Sequence, residues 1–180
     1  MSKYSFIILF LFSFFIVNAQ VFDRINVPIK INGSFLNHDN VGGLNSPQFN
    51  TIDLNFDGVN DLLIFDRVGN VVLPFLTMTE SGNKSYHFAP QYKNNFPTIK
   101  NWVLLRDFNG DGINDLFTNS EAPPGIIVYK AKNENGVLEY DLVESEHGDY
   151  DIIYYNSPSG YLNLYVSTID YPDINDIDGD

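Results

Sequence analysis

Asp53-Leu54-Asn55-Phe56-Asp57-Gly58-Val59-Asn60-Asp61-Leu62 is the stretch that decides how the rest of the chain reads. It recurs as Asp107-Phe108-Asn109-Gly110-Asp111-Gly112-Ile113-Asn114-Asp115-Leu116, an offset of 54 residues. Both copies place Asp at positions 1, 5 and 9, Asn at position 3 and Gly at position 6. Calcium is a hard cation that takes six to eight oxygens at about 2.3–2.6 Å, and alternating side chains of a tight loop supply them. The expected ligands of the first loop are Asp53, Asn55, Asp57, the carbonyl of Val59, and Asp61. Those of the second are Asp107, Asn109, Asp111, the carbonyl of Ile113, and Asp115. Gly58 and Gly112 stand where the backbone must bend sharply.

The charge count agrees with this reading. Each loop gathers three carboxylates and one neutral amide, a crowding that a divalent ion relieves. Magnesium fits less well, because it demands octahedral geometry and keeps its waters. A bare Asp-Gly hairpin turn would account for one such loop. It does not account for two that match at every oxygen-bearing position and at the glycine. An EF-hand needs a bidentate Glu at position 12, where this chain has Ile64 and Thr118. Dockerin-type loops want an acid there too, followed by a helix. The residues that follow here, Leu62-Leu63-Ile64-Phe65 and Leu116-Phe117, read as strand.

Short apolar runs rich in β-branched and aromatic residues recur beyond the loops. Leu62–Phe65, Val71–Leu76, Trp102–Leu105, Gly125–Tyr129, Asp151–Tyr155 and Tyr161–Val166 are each of strand length. Turn signals separate them at Val68-Gly69-Asn70, Ser81-Gly82-Asn83, Asn135-Gly136 and Ser157-Pro158-Ser159-Gly160. The expected fold is all-β and antiparallel. A third loop starts at Asp176-Ile177-Asp178-Gly179-Asp180, which adds Asp176, Asp178 and Asp180 to the candidate ligands. Repeats of this period are the size of one propeller blade, and such units do not bury their faces alone. The chain is therefore expected to be the N-terminal part of a longer one, in which positions 6 and 9 of the third loop are Gly and Asp.

From Pro47 to Asp180 the pattern Asp-x-Asn-x-Asp-Gly-x-x-Asp-Leu between apolar strands resembles the FG-GAP or VCBS repeat of integrin-α-like β-propellers. The resemblance implies blades of such a propeller, incomplete in this chain, with calcium loops on one face serving mainly structure. It implies Asp53, Asn55, Asp57, Asp61, Asp107, Asn109, Asp111 and Asp115 as ligands. The Phe-Gly and Gly-Ala-Pro signatures that name the repeat have no clear counterpart, and Phe65-Asp66-Arg67-Val68-Gly69-Asn70 is a variant strand-turn.

The bulk properties bound the partners. The chain has 180 residues, a net charge of −13 and no cysteine. That acidity excludes a nucleic-acid surface, which needs a Lys/Arg patch. The absence of cysteine excludes disulfide stapling and a lipoprotein anchor. Residues 1–19 read as a signal peptide: Lys3, an apolar run from Phe6 to Val17, and Val17-Asn18-Ala19 before cleavage at Gln20. The run is short of the ~20 residues a membrane helix takes, so no transmembrane segment is expected after cleavage. Residues 20–180 then form the repeat region.

Other residues invite chemistry and are read as structural. His38, His87 and His147 are too scattered for a zinc site and read as surface or turn residues. Glu144, Glu146, Asp149 and Asp151 around His147 read as solvated acids rather than a glycosidase pair. Trp102 reads as core. The expected function is a non-enzymatic, secreted or cell-surface calcium-binding module with a protein or glycan ligand. The alternative is an accessory or scaffold region of an extracellular polysaccharide-degrading enzyme.

Overall fold

In the computed structural model, residues 43–148 and 150–175 are described, together with the backbone of two short strands, β1 (Lys30–Ile31) and β2 (Ser34–Phe35). The signal-peptide segment, His38, Asp149 and the third loop with Asp176, Asp178 and Asp180 lie outside the described residues. The described chain is all-β apart from a short 3-10 helix at Pro90–Asn95. Among the described residues no helix is long and apolar enough to cross a membrane.

Two four-stranded antiparallel meanders dominate. The first is β3 (Pro47–Ile52), β4 (Asp61–Asp66), β5 (Val71–Glu80) and β6 (Asn83–Phe88), paired in that order. The second is β7 (Val103–Arg106), β8 (Asp115–Glu121), β9 (Pro124–Glu134) and β10 (Val137–Leu142). A third unit has two strands, β11 (Tyr154–Ser157) and β12 (Gly160–Asn163). Among the described residues neither four-stranded sheet closes on itself.

The 54-residue repeat is visible in the pairing. Leu62↔Phe75 and Thr77↔Tyr86 in the first sheet have their counterparts in Leu116↔Tyr129 and Ala131↔Tyr140 in the second. Strand alternation sends Leu63 and Phe65 to the face that meets the second sheet, and both are 0% exposed. They join Ile52, Leu54, Val103, Leu105, Leu116 and Leu138 in one core between the sheets. Fully burying a side chain of this size is worth about 1.5–3 kcal/mol, so this seam is the main glue between repeats. On its far face the second sheet packs Trp102, Phe117, Ile126 and Val128 against Val166 and Ile174 of the following segment.

β3 and β7 lie side by side in the same direction. Gln48 Oε1 accepts from the Val103 N–H near their starts (2.9 Å), and Asn114 Nδ2 donates to the Thr51 carbonyl near the other end (3.2 Å). Both Asp-rich loops therefore lie at one end of the paired sheets. The turn at residues 67–70 lies at the other, where Arg67 gathers three segments. Its guanidinium donates to the carbonyls of Asn101, Thr168 and Asp170 and stacks 3.7 Å from the Tyr171 ring centroid.

Strand boundaries match the sequence reading in most places. Asp151–Tyr155 is one exception, because the strand begins only at Tyr154. Ile153 there already donates to the Ile126 carbonyl on β9 (2.9 Å), while Asp151 holds the preceding loop. The run from Tyr161 likewise leaves the ladder after Asn163.

Candidate metal centre

Each loop joins the first strand of its sheet to the second, so the ladder itself fixes both ends. In the first loop the Asp53 carboxylate accepts from the N–H groups of Asp57 (3.1 Å) and Gly58 (2.8 Å). Asn55 Oδ1 accepts from Asp57 N–H at 3.1 Å, and Asp57 Oδ1 from Val59 N–H at 2.8 Å. The Asn55 amide donates to the other Asp57 oxygen at 3.0 Å, a neutral donor set between two like charges. The second loop repeats the pattern. Asp107 accepts from Gly110, Asp111 and Gly112, Asn109 Oδ1 from Asp111, and Asp111 from Ile113 and the Asn109 amide.

Position 6 bends as expected: Gly58 has φ +83° and Gly112 φ +87°. Position 4 is also left-handed, which the sequence does not advertise. It is Gly110 in the second loop but Phe56, at φ 57°, in the first. A side chain in that region costs roughly 1–2 kcal/mol. Phe56 is held there by packing against the core between the sheets.

Position 9 differs in character from the rest. Asp61 is 1% exposed and Asp115 0%, whereas positions 1, 3 and 5 are half-buried or exposed. Asp61 receives the Leu54 N–H (3.0 Å) on one oxygen and the Thr77 N–H (2.7 Å) on the other. Asp115 receives Phe108 (2.8 Å) and Ala131 (2.6 Å) in the same way. The closing Asp thus ties the loop to the third strand of its sheet. The anchors Thr77 and Ala131 lie 16 residues downstream of their Asp, and only the repeat offset marks them in the sequence.

Burial raises the pKa of Asp61 above the ordinary carboxylate value. The Thr77 and Leu54 N–H donors oppose the rise, and the charges of Asp57 and Asp53 add to it. Asp115 is raised by the same causes, with Ala131 and Phe108 as donors and Asp111 and Asp107 as charges. Asp107 is lowered, first of all by the Gly112 N–H.

All-oxygen donors suit a hard cation. Among the described residues, no three carboxylates or imidazoles close around a common point as a finished metal cage. The oxygens of positions 1, 3 and 5 instead accept from the loops' own N–H groups, and one oxygen of each closing Asp accepts from the third strand. An ionised carboxylate has about four acceptor sites, so these bonds leave roughly half of each loop's capacity open.

The structure places the remaining candidates as follows. Trp102 is 0% exposed and belongs to the core. His147 lies in a bend, half-buried, with its ring stacked on Tyr161 at a centroid distance of 3.5 Å. Glu144, Glu146 and Asp151 are exposed, and Asp151 accepts from the Ser145 N–H (3.2 Å). His87 lies on outer strand β6, within 3.1 Å of Ser85 Oγ. A cleft of about 230 Å³ beside the second loop is lined by Phe108, Glu146, His147 and Tyr154. Compared with known protein families, curated proteins and solved structures, the chain matches none.

Proposed function

We propose that this chain is an exported calcium-binding module built of propeller-type β repeats, in which the ions rigidify the strand-joining loops. The observation that carries the reading is the pair of loops with the same donor residues, the same hydrogen-bond skeleton and the same anchor to the third strand. Asp53, Asn55, Asp57 and Asp61, with the Val59 carbonyl, hold one ion. Asp107, Asn109, Asp111 and Asp115, with the Ile113 carbonyl, hold the other. Bound calcium supplies charge compensation: each loop goes from −3 to −1, and the buried closing carboxylate gains a counter-ion. Two meanders packed face to face are the arrangement of neighbouring propeller blades. The module's role is structural and adhesive, presenting a surface to a protein or glycan.

Extracellular calcium modules bind with constants of about 10⁻⁴–10⁻³ M. At one to ten times that constant each site adds about 0.4–1.4 kcal/mol. Melting the protein in millimolar calcium and again in excess chelator tests the reading. The expected result is a lower Tm in chelator, partly insensitive to calcium in Asp53→Ala and Asp107→Ala. Superimposable melts would overturn it.

A further inference from the structure

Resting on the calcium reading, we infer that the two loops bind calcium cooperatively, because both are seated on the single core between the sheets. Leu54, at position 2 of the first loop, is 0% exposed within that core, and Phe56 at position 4 packs against it. Ile113, at position 7 of the second loop, packs against the same cluster. Asn114, at position 8, hydrogen-bonds the Thr51 carbonyl two residues before Asp53. The closing carboxylate of the second loop is anchored on Ala131, itself a member of that core and paired across the ladder with Tyr140. The Tyr140 hydroxyl is buried there without a hydrogen-bond partner among the described residues.

This arrangement makes each loop part of the other's support. An ion that fixes Asp53, Asn55 and Asp57 also fixes the intervening Leu54 and Phe56, which belong to or pack against the same core cluster that Ile113 packs against. The ordering entropy of the second loop is then partly met before its own ion arrives, which is positive coupling. By linkage the effect is reciprocal. Repulsion between the two ions acts in the opposite sense, but it is screened beyond about 8 Å at physiological salt. Contact through a packed core is not screened. The two loops reach the core through different positions: position 2 of the second loop, Phe108, is 47% exposed and packs on Phe117, outside the shared core. Leu54 therefore transmits between sites and Phe108 does not.

The test is a calorimetric calcium titration of the metal-stripped full chain at about 0.15 M salt. The expected result is two ions with a Hill coefficient above 1, and a remaining site weakened about fivefold or more in Asp107→Asn. Asn114→Ala, which removes no ligand, keeps both ions and brings the Hill coefficient toward 1. Phe108→Ala leaves it unchanged. Two ions bound independently, with the first site unaffected by Asp107→Asn, overturn the coupling and leave the calcium reading standing. No binding at millimolar calcium overturns both.

Discussion

Asp61 and Asp53 carry the same charge and opposite assignments. Asp61 holds two buried N–H groups, that of Leu54 in the loop and that of Thr77 on the third strand, whereas Asp53 holds only N–H groups of its own loop. Truncating a buried acceptor strands its donors at about 1–3 kcal/mol each. Asp61→Ala is therefore expected to lose about 2–5 kcal/mol in urea unfolding even in chelator. Asp53→Ala is expected to lose much less there, its deficit appearing only against the wild type in calcium. Equal losses in chelator would refute the distinction. The same buried carboxyls set a pH dependence. Asp61 and Asp115 bind their protons more tightly folded than unfolded, so their contribution to stability is full below the ordinary value of 3.8 and is lost as pH rises through the raised one. At neutral pH they are a burden that a cation relieves. Acidification replaces the cation by a proton. The Tm increment due to calcium should shrink as pH falls from 7 through the raised range, and a constant increment down to pH 4 would count against it.

At the scale of the element, the strand–loop–strand unit depends on a left-handed turn residue at position 6. Gly112 has φ +87° with open space around a Cβ, so Gly112→Ala meets strain and no clash. A loss of about 1 kcal/mol is expected by chemical denaturation, together with weaker calcium binding. A variant as stable as the wild type would show that the loop relaxes to another turn. Much of this unit was legible in the sequence. The loops announce themselves by Asp-Gly pairs, the central strands Leu62–Phe65 and Val71–Leu76 by apolar runs, and the turn between them by Gly69-Asn70. The outer strands do not. β6 (Asn83–Phe88) is exposed over its first four residues, so no hydrophobic pattern is imposed on it, and only pairing with β5 makes it a strand. The role of Asp61 as a bridge to Thr77 was hidden for a related reason. Its partner is a backbone N–H, which any residue supplies.

At the scale of the molecule, the acidic loops occupy one end of the paired sheets and Arg67 fastens the other. Its three carbonyl acceptors belong to the entry to the second sheet and to the segment beyond β12, so one side chain pins units distant in sequence. Lys lacks the planar fork that serves several acceptors at once. Arg67→Ala is expected to cost about 1–3 kcal/mol, and Arg67→Lys to recover only part of it, by thermal melting. An unaltered Tm in Arg67→Ala would mean that the apolar seams alone hold the units together.

Trp102, the chain's one tryptophan, is sealed at 0% exposure between the second sheet and the segment carrying Val166 and Ile174, immediately before the strand that feeds the second loop. The molecule thereby carries its own fluorophore at the seam through which one unit grips the next. Water reaching that indole shifts its emission to the red, so the colour of the intrinsic fluorescence reads out, without any label, whether that seam is shut.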